Sequence, residues 1–495
     1  MDNDRSLKQN VFSGLIWTFG ERIIAQGISF ILSIILARLL LPKEYGIIAV
    51  VLVFINLANV FVSNGFGEAL VQKKDTDDTD FSTAFYCSLA VAVVLYFVLF
   101  FSAPFIAKIY HYDDLVPVLR VLSLKIIISS ISTVQHAYVS KKMIFKRFFF
   151  STIGGTLVSA VVGIGMAYAG FGVWALVAQY LVNTVIDTVI LFITIPWRPK
   201  MSFSIQAAKK IVSYGWKITA SALINTGYSE LRNLVIGGFY TTADLAFYNR
   251  GNQFPALVIN NIDTAVGTVV FPAMARSNDD KKRLKVVSRR ALKTTSYLIF
   301  PLLIGMAVVA RSLVMILLTE KWEPCIFFLQ VGCIYFMCQP IQTTNWQIIK
   351  AVGRSDLCFK LEVLKKAIGI SMLIVSIAFG VKAIAVTSAV FGMISMFINM
   401  VPNGKLINYT VKEQIVDLLP ALILSILMGV LVHTVTLLKL NSILTLALQI
   451  CVGILAYFGS SIIFKIDSFT YLLDTIKGFS RKGEHLYADN GKNKG

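Results

Sequence analysis

Charged residues are few in this chain: Asp, Glu, Lys and Arg together make up 15% of its 495 residues. Soluble domains carry about 25%, so a water-exposed surface of ordinary polarity is excluded. Histidine is rarer still. His111, His136, His433 and His485 are dispersed, without the i, i+4 spacing that brings two imidazoles to one metal. The six cysteines (Cys87, Cys325, Cys333, Cys338, Cys358, Cys451) form no CxxC pair and mostly sit within apolar runs. Free buried thiols are therefore expected, rather than a metal or redox centre. A GxxxxGK[ST] phosphate loop is missing, as is any gap between apolar runs long enough for a soluble domain. Those absences argue against ATP hydrolysis and against an enzyme, and no cofactor is expected. No RNA- or DNA-binding motif interrupts the runs, so nucleic acid is not an expected partner.

What fills the chain instead is apolar side chains, 56% of all residues, with a mean hydropathy of +0.73. A hydrocarbon core roughly 30 Å thick takes about 20 helical residues to cross. About 14 segments suit that length, at 13–37, 45–68, 82–105, 117–139, 148–169, 173–195, 212–237, 254–274, 293–317, 325–348, 366–380, 383–406, 417–438 and 440–464. The reading is an all-α polytopic membrane protein. The first run contains Glu21 and Arg22 and exceeds the 7–15 apolar residues of a cleaved signal peptide.

The formal charge of +19 is unevenly spread. With the N-terminus in the cytoplasm, about 33 of the 46 Lys and Arg fall on the inner side, as the positive-inside rule requires. They include Lys73, Lys141, Arg198, Lys200 and the dense run from Arg276 to Lys293. Both termini are thus expected to be cytoplasmic, with anionic membrane lipids as contacts.

Segments roughly 200 residues apart resemble each other. Leu39-Leu40-Leu41-Pro42-Lys43-Glu44-Tyr45-Gly46 matches Phe239-Tyr240-Thr241-Thr242-Ala243-Asp244-Leu245-Ala246, and Phe171-Gly172-Val173 matches Phe379-Gly380-Val381. Six spans in each unit give like-oriented repeats about an axis along the membrane normal. The expected division is an N-lobe (1–200, helices 1–6), a C-lobe (201–412, helices 7–12), two further helices (413–464) and a cytoplasmic tail (465–495). Alternating access by rocking lobes around a cleft follows as an expectation.

Polar side chains are costly in hydrocarbon and should face the bundle interior or a wet cavity. Residues three or four apart share a helical face. Thr18, Arg22, Ser29 and Ser33 form one such stripe, with Glu21 at its margin, and Asn56, Asn59 and Ser63 another. Lys125, Ser129, Ser132 and His136 line the fourth span, and Gln179, Asn183 and Asp187 the sixth. Lys217, Ser221, Asn225, Tyr228 and Arg232 line the seventh, with Asp263 on the eighth. Arg22, Lys125, Lys217 and Arg232 are the cations a phosphate-bearing passenger requires, since guanidinium grips phosphate with two prongs and ammonium acts as a point charge. Asn183, Asp187, Asn225 and Tyr228 complete the expected substrate-binding set. Glu21, Glu230 and Asp263 are candidates for ion coupling. Hydroxyl and amide stripes also hold membrane helices together, a reading that stays open for each. Glu21 and Glu230 would likewise serve as structural partners of Arg22 and Arg232.

Several stretches carry a family resemblance from about Ser13 to Lys412: Ala-Arg-Leu-Leu-Leu-Pro-Lys-Glu-Tyr-Gly at 37–46, Asn-Gly-Phe-Gly-Glu-Ala-Leu-Val-Gln at 64–72, Arg-Asn-Leu-Val-Ile-Gly at 232–237, Phe-Tyr-Asn-Arg-Gly at 247–251, Val-Val-Phe-Pro-Ala-Met at 269–274, Pro-Leu-Leu-Ile-Gly at 301–305 and Glu-Lys-Trp at 320–322. The chain resembles the polysaccharide flippases of the MOP (multidrug/oligosaccharidyl-lipid/polysaccharide) superfamily, the O-antigen, capsule and exopolysaccharide exporters of Wzx type. Where that family shows an aspartate before Asn-Leu-Val-Ile-Gly, this chain has Leu231 and Arg232, with Glu230 beside them. The resemblance implies a bacterial inner-membrane protein that moves an undecaprenyl-pyrophosphate-linked oligosaccharide to the periplasmic leaflet through a cationic cavity. Lipid-linked oligosaccharide is then the substrate, and the polysaccharide polymerase machinery a downstream partner. A peptidoglycan lipid-precursor flippase and a Na+- or H+-coupled multidrug exporter remain as alternatives.

Overall fold

The computed structural model describes residues 2–73, 76–278, 280–438 and 440–471. The side chain of Thr18 and most of the expected tail lie outside the described residues. Sixteen α-helices carry the described chain, and they fall into two compact units, 1–246 and 247–495.

The first unit holds α1 (Asp2–Leu39), α2 (Pro42–Gln72), α3 (Asp78–Tyr110), α4 (Leu115–Leu122), α5 (Leu124–Lys142), α6 (Lys146–Tyr168), α7 (Val173–Thr194) and α8 (Ile205–Phe239). Helix α9 (Thr242–Ala275) starts in this unit and runs on into the second. There follow α10 (Lys281–Leu317), α11 (Cys325–Met337), α12 (Gln339–Ala351), α13 (Ser355–Ile377), α14 (Val381–Ile407), α15 (Val411–Thr434) and α16 (Ser442–Ile463). Helix α8 falls in the first compact unit and packs along α2. Glycines permit that approach: a Cβ on Gly215 would stand 2.5 Å from the Gly65 carbonyl oxygen.

Among the described residues, eleven stretches of helix are long and apolar enough to cross a membrane, with α4–α5 and α11–α12 each counting as one. The chain is a multi-pass membrane protein. Helices α8, α9 and α13 make up the difference from the expected 14. They are 35, 34 and 23 residues long, which suffices to span, and α8 and α13 are interrupted by polar and charged side chains. The eleventh span, expected at 366–380, is the C-terminal part of α13. Its charged first turns are covered by Lys365, which pairs with Glu362 at 3.0 Å and lies over the Trp346 ring.

The repeated segments fold alike. Helix α1 ends at Leu39 and α2 starts at Pro42; α8 ends at Phe239 and α9 starts at Thr242. In each corner the acid two residues into the next helix accepts from a backbone N–H just before it: Glu44 from Leu41 at 2.7 Å, Asp244 from Thr241 at 3.3 Å. Such acids satisfy donors that the first helical turn leaves open. Gly172 and Gly380, which precede α7 and α14, both take positive φ, 56° and 93°, a conformation that suits glycine.

Several cations expected on the inner side are part of the framework. Lys141 donates to the carbonyls of Leu70 and Lys73, at 3.3 and 2.5 Å, and so closes the C-terminus of α2. Lys73 pairs with Asp80, and Lys200 with Asp78. In the second unit, Arg289 of α10 grips Asp417 of α15 with two 2.7 Å hydrogen bonds, joined by Tyr409 at 2.8 Å. Burial, the hydrogen bond to Asp417 and its negative charge all hold the Tyr409 hydroxyl well above its ordinary pKa. Two helices outside the repeat are thereby fastened to α10, since α15 and α16 both pack against it.

Candidate functional site

Nearly all of the expected site residues fall in the first unit, on α1, α5, α7 and α8. Their arrangement starts from the seam between α6 and α7. Gly155, Ser159 and Gly163 recur every four residues on α6 and present a flat strip to α7. A Cβ on Gly155 would lie 2.9 Å from the Asn183 carbonyl oxygen and 3.4 Å from the Asp187 nitrogen. On Gly163 it would stand 3.1 Å from Gln179. Small residues of this kind let membrane helices approach backbone to backbone. The Asn183 amide then donates to Ser159 at 3.4 Å.

Close packing of α7 on α6 brings Asp187 to His136 of α5, with 3.5 Å between carboxylate and imidazole Nε2. The imidazole stacks on Phe148 of α6, ring centres 4.9 Å apart and 25° from parallel. From α1, Glu21 accepts a 2.8 Å hydrogen bond from Thr152 of α6, and Asp187, His136 and Arg22 all lie within its electrostatic reach. Glu21 of α1 and Asp187 of α7, widely separated in sequence, are thus neighbours in space, and His136 joins them.

Lys125, toward the other end of α5, reaches across to α7 and sits 5.3 Å from the centre of the Tyr180 ring. Tyr180 is one residue beyond Gln179, so the cation lies near the Gln179–Asn183 stretch. On α8, Lys217, Ser221, Asn225, Tyr228 and Arg232 follow at helical spacing. Lys217 and Asn225 are exposed; Tyr228 and Arg232 are half-buried. Glu230 accepts from Asn56 of α2 at 3.0 Å and from Asn233 at 2.8 Å. That carboxylate therefore ties α8 to the amide stripe of α2. Arg22 is exposed on α1.

Asp263 is carried by α9. It lies in the second unit, held by side-chain hydrogen bonds from Gln339 and Thr343 of α12. His136 and Thr152 are the site neighbours that the candidate set did not include. His136 was visible as a member of the α5 stripe, but nothing in the sequence paired it with Asp187. Thr152 carried no signal.

The sequence model of a family described as "Polysaccharide biosynthesis protein" matches residues 35–327. The lipopolysaccharide biosynthesis protein WzxC of Escherichia coli (strain K12) is 25% identical over 377 residues, 75% of this chain and 76% of that protein. The teichuronic acid biosynthesis protein TuaB of Bacillus subtilis (strain 168) is 25% identical over 361 residues, covering 72% and 74%. Among solved structures, the lipid II flippase MurJ in an inward closed conformation aligns with a TM-score of 0.72, covering 92% of this chain and 99% of that one at 15% identity. An inward-facing multidrug resistance MATE family transporter of the MOP superfamily aligns at 0.61, again with 15% identity, over 77% and 94%. The two structural likenesses establish a common fold.

Proposed function

Since the chain belongs to the polysaccharide biosynthesis protein family, we propose that it flips an undecaprenyl-pyrophosphate-linked oligosaccharide across the bacterial inner membrane by alternating access. The observation that carries this reading is the set of cations on membrane-embedded or polar helices of one unit: Arg22 on α1, Lys125 on α5, Lys217 and Arg232 on α8. Each costs about 2.5–3.5 kcal/mol on insertion scales if it sits at mid-membrane, so a group that neutralises them offsets a real penalty. A diphosphate is such a group. Guanidinium and ammonium hold its oxygens, and Asn225, Tyr228 and Asn183 offer amide and hydroxyl partners to sugar hydroxyls. The polyprenyl tail stays in lipid while the head crosses a wet path, which avoids moving two phosphates through bare hydrocarbon.

On this reading the chain is a carrier rather than an enzyme. Its termini lie in the cytoplasm, and the polymerase machinery takes up the flipped repeat unit on the far side. The names of WzxC and TuaB, which concern surface polysaccharides, support the substrate class. The fold shared with a lipid II flippase favours a second reading, in which the passenger is a peptidoglycan precursor.

Deletion of the gene in its own host separates the two. The proposal expects surface polysaccharide to disappear while lipid-linked repeat units accumulate on the cytoplasmic leaflet. Accumulation of peptidoglycan precursor with surface polysaccharide intact would transfer support to the second reading.

A further inference from the structure

We infer that the second unit binds one anionic phospholipid, with its headgroup at the charged end of α10 and its acyl chains between α10, α15 and α16. Helix α10 changes character along its length. Lys and Arg crowd its first turns up to Lys293, and no charge follows until Arg311. By the positive-inside rule the charged end faces the cytoplasm. A cavity lies on each side of that boundary, and the two follow one another along the helix. Residues between 286 and 294 line the first, and residues between 297 and 313 the second.

The first cavity, about 340 Å³, is completed by the segment after α16, which brings Asp467, Ser468 and Tyr471. Arg289 is committed to Asp417 through two 2.7 Å hydrogen bonds. Lys293 stands 3.4 Å from Asp417 and 3.7 Å from Asp467, longer than an ordinary N–H···O bond. Arg290 is exposed, lies over the Tyr471 ring at 4.7 Å and makes no ion pair among the described residues. Three cations thus face two carboxylates, and one positive charge is left over. A phosphodiester carries one negative charge, and guanidinium binds its oxygens with two prongs. A diphosphate brings more charge than the cavity balances. The ammonium of a zwitterionic headgroup finds both carboxylates already claimed.

The second cavity, about 480 Å³, has the size of a small-ligand site, and no charged side chain lines it among the described residues. Leu302, Ile454 and Phe458 are exposed along it. Two tyrosines line it with their hydroxyls engaged: Tyr297 donates to Ser461 and Tyr457 to the Tyr297 carbonyl, both at 2.7 Å. Phe469 connects the two cavities, its ring centre 6.5 Å from that of Tyr297 and 6.0 Å from that of Phe458. Lipid tails are as apolar as the groove, so chains gain packing there but no selectivity. Selection falls to the headgroup end, as basic pockets between membrane helices select anionic lipids. A lipid seated in both cavities clasps α16 and the segment after it onto α10.

Two measurements on the full-length protein test this, and neither depends on which passenger it moves. Phe458→Trp places a fluorophore in the groove, which none of the six native tryptophans lines. In phosphatidylcholine vesicles, phosphatidylglycerol with brominated chains should quench the added fluorescence at about tenfold lower lipid fraction than brominated phosphatidylcholine does. Arg290→Gln in the same background should abolish that preference. Arg283→Gln, which removes an exposed cation of α10 outside the cavity, should keep it. Equal quenching by the two lipids overturns the proposal. So does an equal loss with Arg283→Gln, the mark of diffuse attraction to a basic surface. Displacement of the brominated lipid by polyprenyl diphosphate more readily than by unlabelled phosphatidylglycerol gives the groove to the passenger's tail and also overturns it. Native mass spectrometry needs no added tryptophan: wild type should retain one phosphatidylglycerol under conditions that strip phosphatidylcholine, and Arg290→Gln should not. Retention by Arg290→Gln equal to wild type overturns the proposal.

Discussion

Gly155 and Gly165 lie on the same helix and should respond oppositely to the same change. At Gly165 nothing stands within 4 Å of an added Cβ. Alanine there removes the backbone entropy cost of a helical glycine, a gain of about 0.5–1 kcal/mol. At Gly155 the added carbon meets the Asn183 carbonyl oxygen at 2.9 Å and the Asp187 nitrogen at 3.4 Å, both backbone atoms that cannot rotate away. Helix α7 must move, and overpacking of this kind costs about 1–3 kcal/mol. The two variants should differ by about 1.5–4 kcal/mol in stability, read as thermal unfolding midpoints of purified protein in one detergent. Movement of α7 also carries Asp187 away from His136, so Gly155→Ala should reduce polysaccharide export beyond its effect on protein level. Equal melting of the two variants would refute the close approach of α6 and α7, and with it the placement of Asp187.

Arg289→Ala leaves Asp417, whose side chain is 2% exposed, with Tyr409 and Lys293 as remaining partners. A loss of about 1–3 kcal/mol is expected by thermal unfolding, and replacing both partners by apolar residues should recover most of it. Trp322→Ala empties a fully buried position against Phe247 and Arg250, and should cost about 3–5 kcal/mol, seen as reduced yield of monodisperse protein. A fluorescent reporter that matures only in the cytoplasm should be bright when fused at residue 495, and an alkaline phosphatase fusion there inactive; the reverse pattern would contradict the inward tail.

The membrane path was largely legible because apolar runs of spanning length report the solvent directly. Helices α8, α9 and α13 were read from the same runs, and in α8 polar residues also recur at helical spacing. The start of α9 at Thr242, well ahead of the expected 254, follows from Arg250 and Gly251. Arg250 lies over the Trp322 ring at 5.1 Å, and Gly251 packs against Cys325 and Phe328, so a stretch that looks like a polar connection is helix held in the second unit. The family-resembling segments at 247–251 and 320–322 are thus partners in packing. Stripes gave the face of each helix but not which faces meet. The Asp187–His136 pair depends on how near α7 comes to α6, and that is set by Gly155, a residue without side-chain chemistry. Asn56 and Glu230 show the same gap: each stood out alone, and only the α2–α8 crossing at Gly65 and Gly215 joins them.

The central claim is that fixed cations of the first unit carry the diphosphate head. Its most direct test compares wild-type protein with the Arg22→Ala, Lys125→Ala, Arg232→Ala triple variant, both reconstituted at matched, correctly inserted amounts, with a fluorescent polyprenyl-diphosphate glycan. A charged hydrogen bond contributes about 1.5–3 kcal/mol, so loss of three should slow flipping at least about tenfold. Flipping by the triple variant at the wild-type rate would contradict the account.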